Sequence, residues 1–167
     1  MEMKKDPTDS NTIILEWEGP FPRETITNEF TDDFGIYQIY GPHEIYCSKK
    51  RKCSDKVLLY IGRTAGSSFS GRLKKHGFCD SSDFEIYVGS IKKPTDKGSI
   101  ETWKNMISDI EKVLINKYAP SYNANMTSDL RSNQLKSMHL RIINDGKCMD
   151  LDKMILAEDV VYKFPKN

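Results

Sequence analysis

A glutamate stands where an apolar residue belongs. Trp103, Met106, Ile107, Ile110, Val113, Leu114 and Tyr118 recur at helical spacing, and Glu111 falls inside their stripe, four residues after Ile107 and three before Leu114. Burying a carboxylate without a partner costs several kcal/mol. Glu111 therefore either reaches water from the edge of the stripe or is held by a cation, be it a basic side chain or a metal ion. Tyr37 and Tyr60 occur in β-branched, aromatic segments. Their hydroxyls converge if both face one side of a sheet; the plainer alternative is two half-buried core rings. Arg72 and His76 are four apart in a segment of helical spacing and so point the same way. An arginine suits a phosphate oxygen and a histidine moves a proton near neutral pH, although such a pair is also ordinary surface charge.

Strands must carry the two tyrosines. GIYQIY (35–40) is closed by Gly41-Pro42, and VLLYIG (57–62) ends on Gly62. The fourteen residues 43–56 between them carry Lys49, Lys50, Arg51, Lys52 and Lys56, which predicts a solvated hairpin extension. Over 67–76 the spacing turns helical, with Phe69 and Leu73 as one apolar pair and Arg72 and His76 on another face. FEIYVGS (84–90) alternates, setting Phe84, Ile86 and Val88 against Glu85 and Tyr87. After a Pro/Gly loop at 92–98, Ser99 is the expected N-cap of the long helix, which should end before Pro120. LRIIN (140–144) and KCMDL (147–151) read as a hairpin turning on Asp145-Gly146, and VVYKF (160–164) as a closing strand.

Ahead of these elements, residues 12–33 mix Ile13, Ile14, Leu15 and Trp17 with Gly19, Pro20 and Pro22, which predicts an arm packed on the main fold. Arg23–Phe30 carries only a weak helical signal. The expected division is an N-terminal arm (1–34), a core (35–126) and a C-terminal extension on the same domain (127–167). The fold class is α+β: a small, mostly antiparallel sheet flanked by helices, with a C-terminal β extension.

Bulk properties narrow the class. The 167 residues suit one domain with a core of its own. Hydrophobic residues at 38% and charged residues at 29% indicate a globular chain, not a disordered one. Twenty-five basic and 24 acidic side chains leave a net charge of +1, so any nucleic-acid site must come from local clustering. The polar opening MEMKKDPTDS predicts no secretory leader, and no apolar run is long enough for a bilayer. A cytoplasmic protein is expected, with Cys47, Cys53, Cys79 and Cys148 as free thiols. Zinc at Cys47 and Cys53 would need two further ligands and a shorter spacing than the five residues between them.

Four separated motifs now fall in order. Gly35-Ile36-Tyr37 and Tyr60-Ile61-Gly62, then IGRTAGSSFSGRLKKH (61–76) with Arg72 and His76, then IEKVLINKYAPSYN (110–123) with Glu111, Lys117-Tyr118, Pro120 and Asn123, resemble the motifs of the GIY-YIG endonuclease superfamily. The likeness covers about residues 35–123. The 19 residues (38–56) between its two tripeptides exceed the compact hairpin common in the family, though some restriction-enzyme members carry enlarged ones. The short flanks resemble those of small stand-alone bacterial members. Some of that group are similar to sequence-specific single-strand DNA endonucleases, others to type II restriction enzymes.

The resemblance implies metal-dependent hydrolysis of a DNA phosphodiester. Glu111 would hold one Mg²⁺ or Mn²⁺, with waters and phosphate oxygens completing its shell. Arg72 would contact the scissile phosphate. Tyr37 is the expected activator of the water, provided that neighbouring cations lower its pKa, and Tyr60 would assist it. His76 would relay a proton or bind phosphate, Arg63 would make a second phosphate contact, and Asn123 would orient backbone. Lys49, Lys50, Arg51, Lys52, Lys74 and Lys75 are the candidate DNA contacts. Single strands are slightly favoured by the near-neutral charge and the lack of an evident reading helix. Trp17, Tyr46 and Trp103 are candidates for base stacking, with Trp103 also placed in the core. The alternatives are a restriction-like double-strand endonuclease, a non-cleaving nucleic-acid-binding module of the same fold, and an interaction domain whose motifs are accidental.

Overall fold

The computed structural model describes residues 12–22, 25, 34–42, 56–65, 68–75, 83–91, 100–123, 134–135 and 137–160. Six strands form one mixed sheet: β1 Thr12–Phe21, β2 Phe34–Gly41, β3 Val57–Ala65, β4 Glu85–Ile91, β5 Arg141–Gly146 and β6 Met154–Leu156. Their order is β3-β2-β4-β1-β5-β6. β1 and β5 run parallel and the other neighbours antiparallel. Helix α1 (Phe69–Leu73) and helix α2 (Ile100–Tyr118) flank the sheet, completing a small α+β domain. Among the described residues no helix is long and apolar enough to cross a membrane.

Both faces of the central strands are covered. On one face, Ile107, Ile110, Val113 and Leu114 of α2 pack with Ile13, Leu15, Trp17, Ile36, Tyr40, Ile61, Tyr87 and Ile142. On the other, Phe69 and Leu73 of α1 close over Tyr37, Ile39, Ile86 and Val88. The predicted alternation of β4 therefore holds, with Ile86 and Val88 on the α1 side and Tyr87 in the core on the other. The predicted stripe of the long helix also holds, as does the Phe69/Leu73 pair.

Three expectations are corrected. Residues 12–21 are not an arm laid on the fold. They form a strand inside the sheet, because Ile13, Leu15 and Trp17 alternate inward while Glu16 and Glu18 pair across to β4. The Gly19-Pro20 step that suggested irregular chain is absorbed in a bulge between Glu18 and Phe21. The hairpin on Asp145-Gly146 is also replaced. β1 continues to pair with β5 through Glu16↔Asp145 and Trp17↔Gly146, so the chain turns only afterwards and returns as β6, not as 147–151. Cys148 and Leu151 instead turn inward, with the Leu151 amide donating to the Cys148 carbonyl at 3.1 Å. Trp17 cannot stack a base: it is 2% exposed, and its indole Nε1 donates to Asn144 Oδ1 at 2.8 Å. Trp103 is partly buried against the core, as placed. Cys148 is a free, buried thiol. The basic run 49–52, His76, Tyr46, the other three cysteines, Ser99 and residues 161–164 lie outside the described residues, as does the weak 23–30 helix apart from Thr25.

Candidate active site

β2 and β3 bring the two tyrosines together. In the antiparallel register Tyr37 faces Gly62 and Ile39 faces Tyr60. A register shift falls between Ile39 and Tyr40, whose partners are Tyr60 and Leu58. It sends Leu58 to the α2 side while Tyr60 joins Tyr37 on the α1 side. The rings stack with centroids 5.9 Å apart and planes 29° from parallel. Gly62 makes this possible: a Cβ there would collide with the Tyr37 phenol and come within 2.7 Å of Tyr60 Cε1. Gly35 is equally restricted, since its Cβ would approach the Gly89 carbonyl oxygen at 2.5 Å and Phe69 Cζ at 2.7 Å. Both glycines of the paired tripeptides are thus explained by close packing rather than by unusual backbone angles.

The phenols differ in exposure. Tyr37 is fully buried, with Phe69 edge-on at 6.3 Å, whereas Tyr60 is only half-buried. The Tyr37 hydroxyl hydrogen-bonds that of Tyr60. Burial pushes the Tyr37 phenol well above its ordinary pKa, and Tyr60 adds to this; the pull of Arg72 in the other direction is weaker. Tyr60 is also raised, by burial and by Glu111, while Arg72 and the hydrogen bond from Tyr37 oppose the shift. With the chain's own groups alone, Tyr37 is thus a protonated donor at neutral pH.

Glu111 approaches the same strand from α2. It is 4% exposed, so the edge-of-stripe alternative, with the carboxylate in water, is overturned. Arg63, on the α2 side of β3, donates through Nε to Glu111 Oε2 at 2.7 Å. Burial holds the carboxyl above its ordinary value, with Arg63 the strongest opposing influence and then Arg72 and Lys112. The family resemblance implies for Arg63 only a phosphate contact. Its pairing with Glu111 joins residues 48 apart, and no local pattern announces it. Arg72 lies in the last turn of α1, exposed to solvent, within electrostatic reach of both phenols and of Glu111. Helix α1 is fixed by its cap: the Gly71 amide donates to Ser68 Oγ at 3.1 Å. Lys74 and Lys75 are exposed directly after it.

Asn123 holds the strand. It ends a 3₁₀ turn at Ser121–Asn123 and is 1% exposed. Its Oδ1 accepts from the Ile61 amide and its Nδ2 donates to the Ile61 carbonyl, both at 2.9 Å. β3 is an edge strand, and this amide satisfies the outward backbone groups that a further strand would otherwise take. Asn123 therefore orients backbone, as expected, in the middle of the Tyr60-Ile61-Gly62 segment.

No protein-family model, curated protein or solved structure matches this chain. Among the described residues no group of three or more His, Cys, Asp or Glu side chains could hold a metal ion. Among the described residues brought together here, the acidic donor is the carboxylate of Glu111. A buried carboxylate whose desolvation is only partly offset fits a hard cation that keeps most of its waters and takes further oxygens from a phosphate.

Proposed function

We propose that this chain is a divalent-cation-dependent DNA endonuclease of GIY-YIG type, acting by phosphodiester hydrolysis, with single-stranded DNA favoured over double-stranded. The supporting observation is convergence: Tyr37, Tyr60, Arg63, Arg72 and Glu111 come from two strands and two helices and interact around one segment of β3.

Roles follow from exposure and charge. Arg72, exposed and cationic, binds the scissile phosphate and offsets the charge that builds on it. Tyr60, the more accessible phenol, donates to a phosphate oxygen or to the attacking water. Tyr37 stays protonated and fixes the Tyr60 hydroxyl by hydrogen bonding; it is a positioning residue. Glu111 is the residue that would hold Mg²⁺ or Mn²⁺. When bound, the cation would supply positive charge to the phosphate and leaving oxygen and would make a bound water more acidic. Cleavage of matched single- and double-stranded DNA, with Mg²⁺ or with excess EDTA, tests this function. Cation-dependent cleavage is expected; its absence on both substrates refutes the function, and full activity in EDTA refutes the cation.

A further inference from the structure

In the protein as it stands, the carboxylate that would take a metal already has a cation. Arg63 Nε lies 2.7 Å from Glu111 Oε2. The two partners are unequally placed: the Glu111 side chain is 6% exposed and that of Arg63 34%. The carboxylate is built into the wall on α2, while the guanidinium reaches it from a partly open rim on β3. That asymmetry decides which partner can leave. An arginine with access to solvent loses little on moving outward, whereas a buried carboxylate left alone is penalised heavily. Vacating Glu111 is therefore costly, and a second cation taking the place of Arg63 removes that cost. A divalent ion beside an arginine still in place would meet its repulsion at close range.

We infer that Arg63 is an exchangeable counter-ion for Glu111: it occupies the carboxylate when metal and nucleic acid are absent, and moves to substrate phosphate as a divalent cation replaces it. This rests on the proposed endonuclease function and adds an order to it. Phosphate gives the displaced guanidinium a new anionic partner. DNA and cation then favour each other's binding, and the coupling is reciprocal. The free protein keeps its metal site closed until substrate arrives.

The test is Mn²⁺ affinity, measured by calorimetry or by the spin-resonance signal of free Mn²⁺. Wild type is compared with Arg63→Met and Arg63→Gln, with and without a hydrolysis-resistant phosphorothioate single strand. Circular dichroism checks that each variant is folded, and Glu111→Gln defines binding elsewhere. Both Arg63 variants remove the charge, and Arg63→Gln keeps a polar end should Arg63→Met fold poorly. Without DNA, they should bind Mn²⁺ about tenfold or more tightly than wild type, since a charge-assisted hydrogen bond no longer competes. Added oligonucleotide should raise the affinity of wild type more than theirs. Folded variants with equal or weaker Mn²⁺ affinity would overturn the exchange and leave Arg63 as an orienting group. If no protein binds Mn²⁺ through Glu111, with or without DNA, the metal reading itself fails and the exchange with it.

Discussion

The amide of Asn123 offers a test that does not depend on any assay of activity. Replacing Asn123 with Ala removes both 2.9 Å hydrogen bonds to Ile61. It strands an amide N–H and a carbonyl on a residue that is 0% exposed. Each unsatisfied buried group costs about 1–3 kcal/mol, so the pair should cost about 2–6 kcal/mol. That is a large share of the roughly 5–15 kcal/mol that holds a domain together. Asn123→Asp separates the two bonds. The carboxylate keeps the acceptor for Ile61 N–H but sets an anionic oxygen against the Ile61 carbonyl. Protonated, it can donate again. Its folded pKa is thereby raised above the unfolded value of about 3.9. A raised folded pKa gives stability that is complete below the unfolded pKa and lost as pH rises through the folded one. The Asn123→Asp deficit should therefore be small near pH 4 and full near pH 7.5. Urea unfolding at the two pH values, followed by tryptophan fluorescence and circular dichroism, measures it. An Asn123→Ala loss below about 0.5 kcal/mol, within the range of ordinary surface changes, would refute the backbone clamp. So would an Asn123→Asp deficit that does not change with pH. A reacting Asn123 makes the opposite forecast, with normal stability and lost turnover.

Glu111→Gln should abolish cleavage while DNA binding and folding persist; because burial raises the Glu111 pKa, its ionisation weakens the fold as pH rises through that value, so the variant should match wild type near pH 4 and be at least as stable in thermal melts near pH 8. Arg72→Ala should slow single-turnover cleavage by at least about 10²-fold, the scale of one lost transition-state charge contact, and a change confined to KM would return Arg72 to ordinary surface charge. Replacing Lys49, Lys50, Arg51 and Lys52 together with Ser should weaken binding to single strands and flatten its salt dependence by about 0.7 in log–log slope per lost phosphate contact, with saturated turnover little changed. An unchanged slope would make that run a solubility loop and move the DNA path towards Lys74 and Lys75.

What could be read from the sequence was local, and what could not was pairing at a distance. The stripe of α2 and the Phe69/Leu73 pair of α1 repeat within a few residues, so their periodicity fixes them. Tyr37 and Tyr60 lay on recognisable strands, and the outlier Glu111 was conspicuous inside an apolar stripe. β1 was missed because Gly19 and Pro20 obscured the alternation of Ile13, Leu15 and Trp17, and its parallel partner arrives more than a hundred residues later. The turn after Gly146 was misplaced because a neighbouring strand, not the Asp-Gly signal, decides where β5 ends. The Arg63–Glu111 pair and the burial of Tyr37 depend on tertiary placement, which no spacing rule contains.

The edge position of β3 ties these features together. An edge strand needs cover, and here the cover comes from α2 and the turn that follows it, through Glu111 on Arg63 and Asn123 on Ile61. The residues that cover the edge thus adjoin the candidate site. Tyr60, between the register shift and the clamped Ile61, has little freedom to move along the strand. Arg63, two residues beyond the clamp and opposite Ile36 in the sheet, carries a long side chain that is partly open to solvent. A paired backbone with one charged side chain partly open to solvent is the combination an exchange of counter-ions requires. The same arrangement separates the variants. Loss of Asn123 should loosen Tyr60 and Arg63 together, whereas loss of the Arg63 charge should change the cation preference of Glu111 while the strand stays in place.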